Sequence, residues 1–254
     1  MKVGDKLQSQ SKYFYGYYTI KKYNDNYYKM IIFKYPVRNS GFEIERNYES
    51  ECTYEFIDDD ERFNSSISRS RSKVFEYAIC NEFDYFVTLT LDPKKYNRYD
   101  LDGFIKDLGQ FIRNYRRVHG LDIQYLLIPE RHSDGAWHMH GLMKGIPEEH
   151  LHINGNGYLD WKAYKDRFGW ISLDKVRNKE AVSKYITKYI TKEQFGKSMN
   201  EKHKKLYYVT RGLKQAEVIE KGTLTSAERV PEGEVFENDY VRIITYKKYD
   251  VKEA

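Results

Sequence analysis

The chain has little of three things: cysteine, long apolar runs and net charge. Its 254 residues hold 2 cysteines, Cys52 and Cys80, and neither stands in a Cys-x-x-Cys pair. That usage fits a reducing compartment and argues against a disulfide-stapled secreted scaffold. No apolar run approaches the roughly 18 residues of a spanning helix, and the opening Met-Lys-Val-Gly-Asp-Lys is polar. A cytoplasmic protein is expected. The net charge of +5 and pI near 8.8 permit nucleic-acid binding without demanding it. What the chain has in abundance is tyrosine, 25 residues of it, which suits base stacking but also follows from an AT-rich genome.

The stretch that organises the reading is Ala136-Trp137-His138-Met139-His140-Gly141-Leu142-Met143. On a strand His138 and His140 leave the same face, so two imidazoles can share a metal. The spacing alone decides nothing, because His150 and His152 repeat it after Pro147 and before Asn154-Gly155-Asn156-Gly157. That second pair reads as a solvated loop with no strand partner. The first pair has a different setting. Tyr125 to Glu130 is an apolar run ending in a carboxylate, and the intervening Arg-His-Ser-Asp-Gly carries the hairpin dipeptide Asp134-Gly135. A hairpin folds Glu130 back beside the histidines. Two imidazoles and one carboxylate suit Mg²⁺ or Mn²⁺, a catalytic Zn²⁺, or the iron of a facial-triad oxygenase. His132, two residues beyond Glu130, is the competing third ligand; Glu130 is preferred because hard cations favour oxygen.

Upstream, Phe14 to Ile20 and Tyr27 to Tyr35 flank Asn24-Asp25-Asn26 and read as a hairpin closed by Pro36. The acidic run Asp58 to Glu61 and the Ser/Arg-rich stretch Ser65 to Ser72 read as loop, with Arg62, Arg69 and Arg71 as phosphate contacts or solvated charge. A helix is expected only from Lys73 to Glu82. Phe86-Val87-Thr88-Leu89-Thr90-Leu91 is a strand stopped by Asp92-Pro93, and Leu101, Ile105, Leu108 and Ile112 mark a helix over 101–118. Strands over 123–130 and 136–143 follow, then a short helix over 160–168 and a brief apolar run over 170–173. This order predicts an α+β fold with a largely antiparallel central sheet.

From the N-cap Asn178 to about Glu193 the spacing predicts one helix, with Val182, Ile186 and Ile190 as its buried stripe. Tyr185 and Tyr189 form a neighbouring row one turn apart, and Lys184, Lys188 and Lys192 a third. Such a pattern can face an anion; it can equally be core packing. Gly196-Lys197-Ser198 looks like the end of a phosphate-binding loop, but Thr191 stands where the upstream glycine belongs and the segment follows a helix. No helicase motor is expected.

The succession Phe-Val-Thr-Leu-Thr, then Pro-Glu, then Trp-His-Met-His-Gly-Leu, then Lys-Tyr-Ile-Thr-Lys-Tyr-Ile-Thr-Lys resembles the HUH endonucleases, specifically the two-tyrosine rolling-circle replication initiators of phages and plasmids. The likeness spans about residues 70–195. It implies a sheet whose His138 and His140, with Glu130, hold Mg²⁺ or Mn²⁺, and a tyrosine helix across that face. Tyr185 and Tyr189 become the nucleophiles, assisted by Lys188, giving a 5′-phosphotyrosine bond and a free 3′-OH. Lys184, Lys192, Arg211 and Lys214 become DNA contacts. The implied partners are single-stranded or supercoiled origin DNA and the host helicase and polymerase. Relaxases and transposases share the metal motif and remain alternatives, as does a non-catalytic DNA-binding protein. The expected division is a β-rich extension over 1–65, the endonuclease core over 66–200, and a segment over 201–254 that packs on the core or touches DNA.

Overall fold

In a computed structural model of the chain, residues 17–34, 59–155, 157–191, 205–224 and 230–247 are described; Cys52, Asn156, Lys192 and Gly196-Lys197-Ser198 lie outside them, as do the side chains of 59–62. The chain divides into a larger unit, 56–214, and a smaller one formed from 1–55 and 215–254.

The smaller unit begins with strands β1 (Tyr17–Asn24) and β2 (Tyr27–Phe33), the expected hairpin, paired from Tyr18 against Ile32 to Asn24 against Tyr27. The larger unit opens with helix α1 (Asp59–Cys80). Its first half is the Ser/Arg-rich stretch expected to be loop. The correction has a physical cause: Phe63, Ile67, Val74 and Ala78 recur on one face, and burying them outweighs the weak helix preference of the serines between. Strand β3 (Tyr85–Leu91) follows, then helix α2 (Leu101–His119), capped at its start by Asp100, which accepts from Gly103 N at 2.9 Å. Strands β4 (Gln124–Arg131) and β5 (Trp137–Lys144) form the predicted hairpin, with Gly135 at φ +85 in the turn. Short β6 (Leu151–Ile153) and β7 (Leu159–Trp161) lead through helix α3 (Lys162–Arg167) to β8 (Gly169–Lys175). Helix α4 (Lys179–Ile186) and strand β9 (Tyr208–Val209) complete the unit.

These strands make one antiparallel sheet in the order β6-β7-β8-β3-β5-β4-β9. The fold class expected from sequence is the one observed. Alternation gives each central strand two faces. Tyr85, Val87, Leu89, Trp137, Met139 and Leu127 turn to one side, where Phe104, Leu108 and Ile112 of α2 cover them. Leu126, Ile128 and Leu142 turn to the other, under Val74 and Ala78 of α1 and Ile186 of α4. At Gly141 the strands close so tightly that a Cβ would stand 2.2 Å from the Leu126 carbonyl oxygen, so only glycine fits beside His140.

The remaining strands, β10 (Glu217–Thr223), β11 (Glu234–Glu237) and β12 (Val241–Tyr246), join β1 and β2 in a second antiparallel sheet ordered β10-β1-β2-β12-β11. Tyr18, Met30 and Ile244 are its buried centre. Residues from the two flanks, which the sequence separates into 1–65 and 201–254, therefore belong to one unit from opposite ends of the chain, while Arg211 and Lys214 stay in the larger unit.

Candidate functional site

The β4–β5 register sets Glu130 directly opposite His138, and Ile128 opposite His140. On the other flank of β5, Thr90 stands opposite His138 and Thr88 opposite His140. Directly opposed residues share a face, so both histidines, both threonines and Glu130 project to the side of the sheet that carries α1 and α4. The hairpin expectation thus delivers the carboxylate to the imidazoles. The threonines complete a set the sequence did not announce.

Thr90 Oγ1 lies 3.2 Å from His138 Nδ1, and Thr88 Oγ1 3.1 Å from His140 Nδ1. His138 Nε2 is buried without a hydrogen-bond partner among the described residues. Leaving a buried N–H unmatched is costly, so the proton belongs on Nδ1, donated to Thr90, and Nε2 keeps its lone pair. His140 differs: its Nε2 meets Glu130 Oε2 at 2.6 Å. A neutral imidazole in that contact carries its proton on Nε2 and accepts the Thr88 hydroxyl at Nδ1. Burial, with the Lys188 ammonium behind it, pushes His140 down to about 4, outweighing the pull of Glu130. Burial also lowers His138, helped by its neighbours His132 and His140.

Two imidazoles and a carboxylate on one face are a donor set that could hold a divalent cation, and the orphaned Nε2 of His138 is the group such an ion would satisfy. Among the described residues no three His, Cys, Asp or Glu side chains already surround a common point. Glu130 instead closes onto His140. His132 is also brought in, its ring stacked on His138 with centroids 5.0 Å apart.

The tyrosine segment folds in two parts. Asn178 caps α4 as expected, its Oδ1 accepting from Ala181 N at 2.9 Å, but the helix stops at Ile186 rather than near Glu193. A 3₁₀ turn over Thr187–Tyr189 follows, and Ile190 is extended. Arg71 ends it by donating from Nε to the Ile190 carbonyl at 2.8 Å, so this arginine is a cap reaching over from α1 rather than a loop contact. Ile186 and Ile190 are both fully buried, as their stripe predicts.

The tightened turn brings the two phenols together, with Tyr185 Oη 3.1 Å from Tyr189 Oη. Their surroundings are unequal. Tyr189 is half-buried and its ring lies flat on His140, centroids 4.3 Å apart and planes 10° apart, so burial raises its pKa. Tyr185 is 44 % exposed, and Lys188 Nζ sits 3.5 Å above its ring. Hydrogen bonding to Lys188, then to Tyr189, lowers its pKa. Phe86 touches both tyrosines and His140.

Of the expected DNA contacts, Lys184 pairs with Glu180 at 3.3 Å on exposed helix surface. Arg211 and Lys214 are exposed, but the chain there lies by the Gln124 end of β4, the opposite end from Glu130. The main chain of Lys214 is clamped by Asn81, which both donates to its carbonyl and accepts from its N–H at 2.9 Å. The second His-x-His is no loop. His150 ends a 3₁₀ turn and His152 lies on the edge strand β6, where β7 supplies the partner that the sequence did not show. His150 Nδ1 is 2.9 Å from Tyr115 Oη, and His152 is exposed. No described helix is long and apolar enough to cross a membrane.

Residues 84–194 match the family model of replication-associated proteins of the ORF2 type. The matched segment runs from β3 to just past the tyrosines, so it contains both histidines, Glu130 and both phenols. On that evidence the segment is similar to a replication initiator family. Curated proteins and solved structures give no match.

Proposed function

We propose that the chain nicks and rejoins single-stranded origin DNA, with a tyrosine of the α4 segment as nucleophile and the histidine face as the seat of a divalent cation. The observation that carries this reading is the stacking of Tyr189 on His140, with Tyr185 hydrogen-bonded beyond it, which puts two phenols against the His-x-His pair that meets a carboxylate. Similarity to replication-associated proteins over 84–194 supports it.

His138, His140 and Glu130 would hold Mg²⁺ or Mn²⁺, with His132 in reach as a replacement ligand. Bound there, the ion would draw charge from a non-bridging phosphate oxygen and so favour displacement at phosphorus. The rest of the chemistry belongs to the side chains. A phenol of pKa near 10 is a poor nucleophile at neutral pH. Tyr185 is the better placed to ionise, because Lys188 stands over it and Tyr189 donates to it. Its proton leaves to solvent through the exposed side. The phenolate oxygen bonds to phosphorus, the bond to O3′ breaks, and the products are a 5′-phosphotyrosine and a 3′-OH able to prime synthesis. Once Tyr185 is esterified its hydrogen bond to Tyr189 is lost, and Lys188, 5.3 Å from the second ring, is left to assist that phenol. Two adjacent tyrosines thereby permit a second cut while the first end is held. Strand separation and synthesis would fall to the host helicase and polymerase.

The test is incubation with single-stranded and supercoiled circular DNA plus Mn²⁺, followed by a denaturing gel for DNA bound to protein. An adduct that vanishes with chelator and with His138→Ala, and maps to Tyr185 before Tyr189, is expected. Tyr185→Phe and Tyr189→Phe should each retain some cleavage and the double variant none; full cleavage by the double variant would end the proposal. Binding without any adduct would leave a non-catalytic DNA-binding protein.

A further inference from the structure

The register that aligns the site continues past it. Trp170 of β8 stands opposite Thr90, Thr90 opposite His138, and His138 opposite Glu130, so four strands contribute one straight row on the same face of the sheet. Trp170 is 54 % exposed, whereas Trp137 and Trp161 are 2 % and 0 % exposed. A single exposed apolar side chain needs no explanation by itself. This one is different because of where it stands: two strands from His138, roughly 10 Å at the usual spacing, with nothing but Thr90 between them in the row. Beside it opens a cavity of about 330 Å³ lined by Asp92, Lys95, Lys165, Asp166 and Gly169.

The charges of that cavity are largely spoken for, with one exception. Lys165 pairs with Asp160 at 2.7 Å, Asp166 with Lys162, and Asp92 accepts from Lys94 N at 2.9 Å. Lys95 Nζ is held by the main-chain carbonyls of Lys165 and Asp166, at 3.3 and 2.8 Å. Carbonyls fix the ammonium in place without neutralising it. An indole face open to solvent, a fixed ammonium beside it, and a phosphodiester-cutting site in the same row form the combination that single-stranded nucleic acid requires: a π surface for a base and a cation for its phosphate.

We infer that Trp170 is the stacking platform for an unpaired nucleobase of the bound strand, with Lys95 as its phosphate contact, so that DNA runs along the row Trp170–Thr90–His138. The inference rests on the reading of the chain as a single-strand nickase and adds where the strand lies. Trp170 and Lys95 touch neither the histidines nor the tyrosines in any described contact, so their loss can be separated from loss of chemistry.

The experiment is fluorescence anisotropy of a labelled oligo-deoxythymidine, which carries no origin to cut, titrated with the full chain in Mg²⁺, with a duplex of equal length as control. Trp170→Ala should bind the single strand about 10- to 100-fold more weakly, Trp170→Phe should regain most of that loss, and Lys95→Ala should reduce the salt dependence by about one phosphate contact. Melting curves matching the unaltered chain would show that the substitutions leave the fold intact. Should Trp170→Ala bind as tightly as the unaltered chain while the covalent adduct still forms, the platform is refuted and the nickase stands. If the unaltered chain fails to bind single strands at all and makes no adduct, the function itself fails and the platform with it.

Discussion

The molecule carries the same three-residue pattern twice, at His138/His140 and at His150/His152, and uses it in two ways. The first pair lies on a central strand with neighbours on both sides, where the flanking strands answer three of its four ring nitrogens: Thr90 and Thr88 at the Nδ1 atoms and Glu130 at the Nε2 of His140. The fourth, Nε2 of His138, is buried with no partner among the described residues. The second pair lies at the sheet edge, where His150 meets the Tyr115 and His119 rings beside it and His152 faces water. Spacing places two side chains on one face, and the flanking strands decide what that face can do.

The sharpest way to break this comparison is to delete each pair. His138→Ala or His140→Ala should reduce adduct formation by at least about 100-fold, the scale of losing one stabiliser of transition-state charge. His150→Ala combined with His152→Ala should leave it unchanged in the same gel. Next in size is the effect of the flanking hydroxyls. Thr88→Val and Thr90→Val should each weaken Mn²⁺ binding by about 10- to 100-fold, as removal of a group that orients a ligating imidazole does. Manganese paramagnetic resonance would read this without any turnover, and the serine variants should restore it.

The comparison also has a pH signature. In the folded chain His140 holds its proton less tightly than an ordinary imidazole, about 4 against 6.5. Below 6.5 the unfolded chain takes up the proton first, so the stability this ring contributes is present above that pH and is lost as pH falls toward 4. Urea titrations at pH 7 and pH 4.5 should differ through this group by on the order of 2 kcal/mol, and His140→Gln should flatten the difference. Smallest is the edge pair's own bond. Tyr115→Phe removes the contact with His150 and should cost about 1 kcal/mol in the same titration, with Mn²⁺ affinity unmoved.

Much of this was legible in the sequence for local reasons. Asp134-Gly135 between two alternating runs marked the hairpin, and with it the meeting of Glu130 and His138. Asn178 marked the start of α4, and the Ile186/Ile190 stripe marked its buried side. What stayed hidden depends on distant chain. Thr88 and Thr90 matter only because β3 pairs with β5 some fifty residues on; alternation in Phe-Val-Thr-Leu-Thr was a visible sign that both hydroxyls share a face, but not of what they face. The early end of α4 turns on Arg71 reaching the Ile190 carbonyl from another helix. The partnership of β1 with β10 is set by pairing across almost the whole chain, as is the hydrogen bond from Tyr18 to Glu220.

Helix α1 has a consequence for inheritance. It ends at Cys80, ahead of the segment that matches replication-associated proteins, yet it covers the sheet beneath Ile186 and Ile190, holds the end of the tyrosine turn through Arg71 and, one residue on, clamps Lys214 through Asn81. A fragment cut at 84 and 194 would keep every candidate reacting group and lose the cover over Leu126, Ile128 and Leu142. The stretch that evolution keeps recognisable and the stretch that must be inherited together to fold are thus different lengths of the same chain, and the chemistry travels only with the longer one.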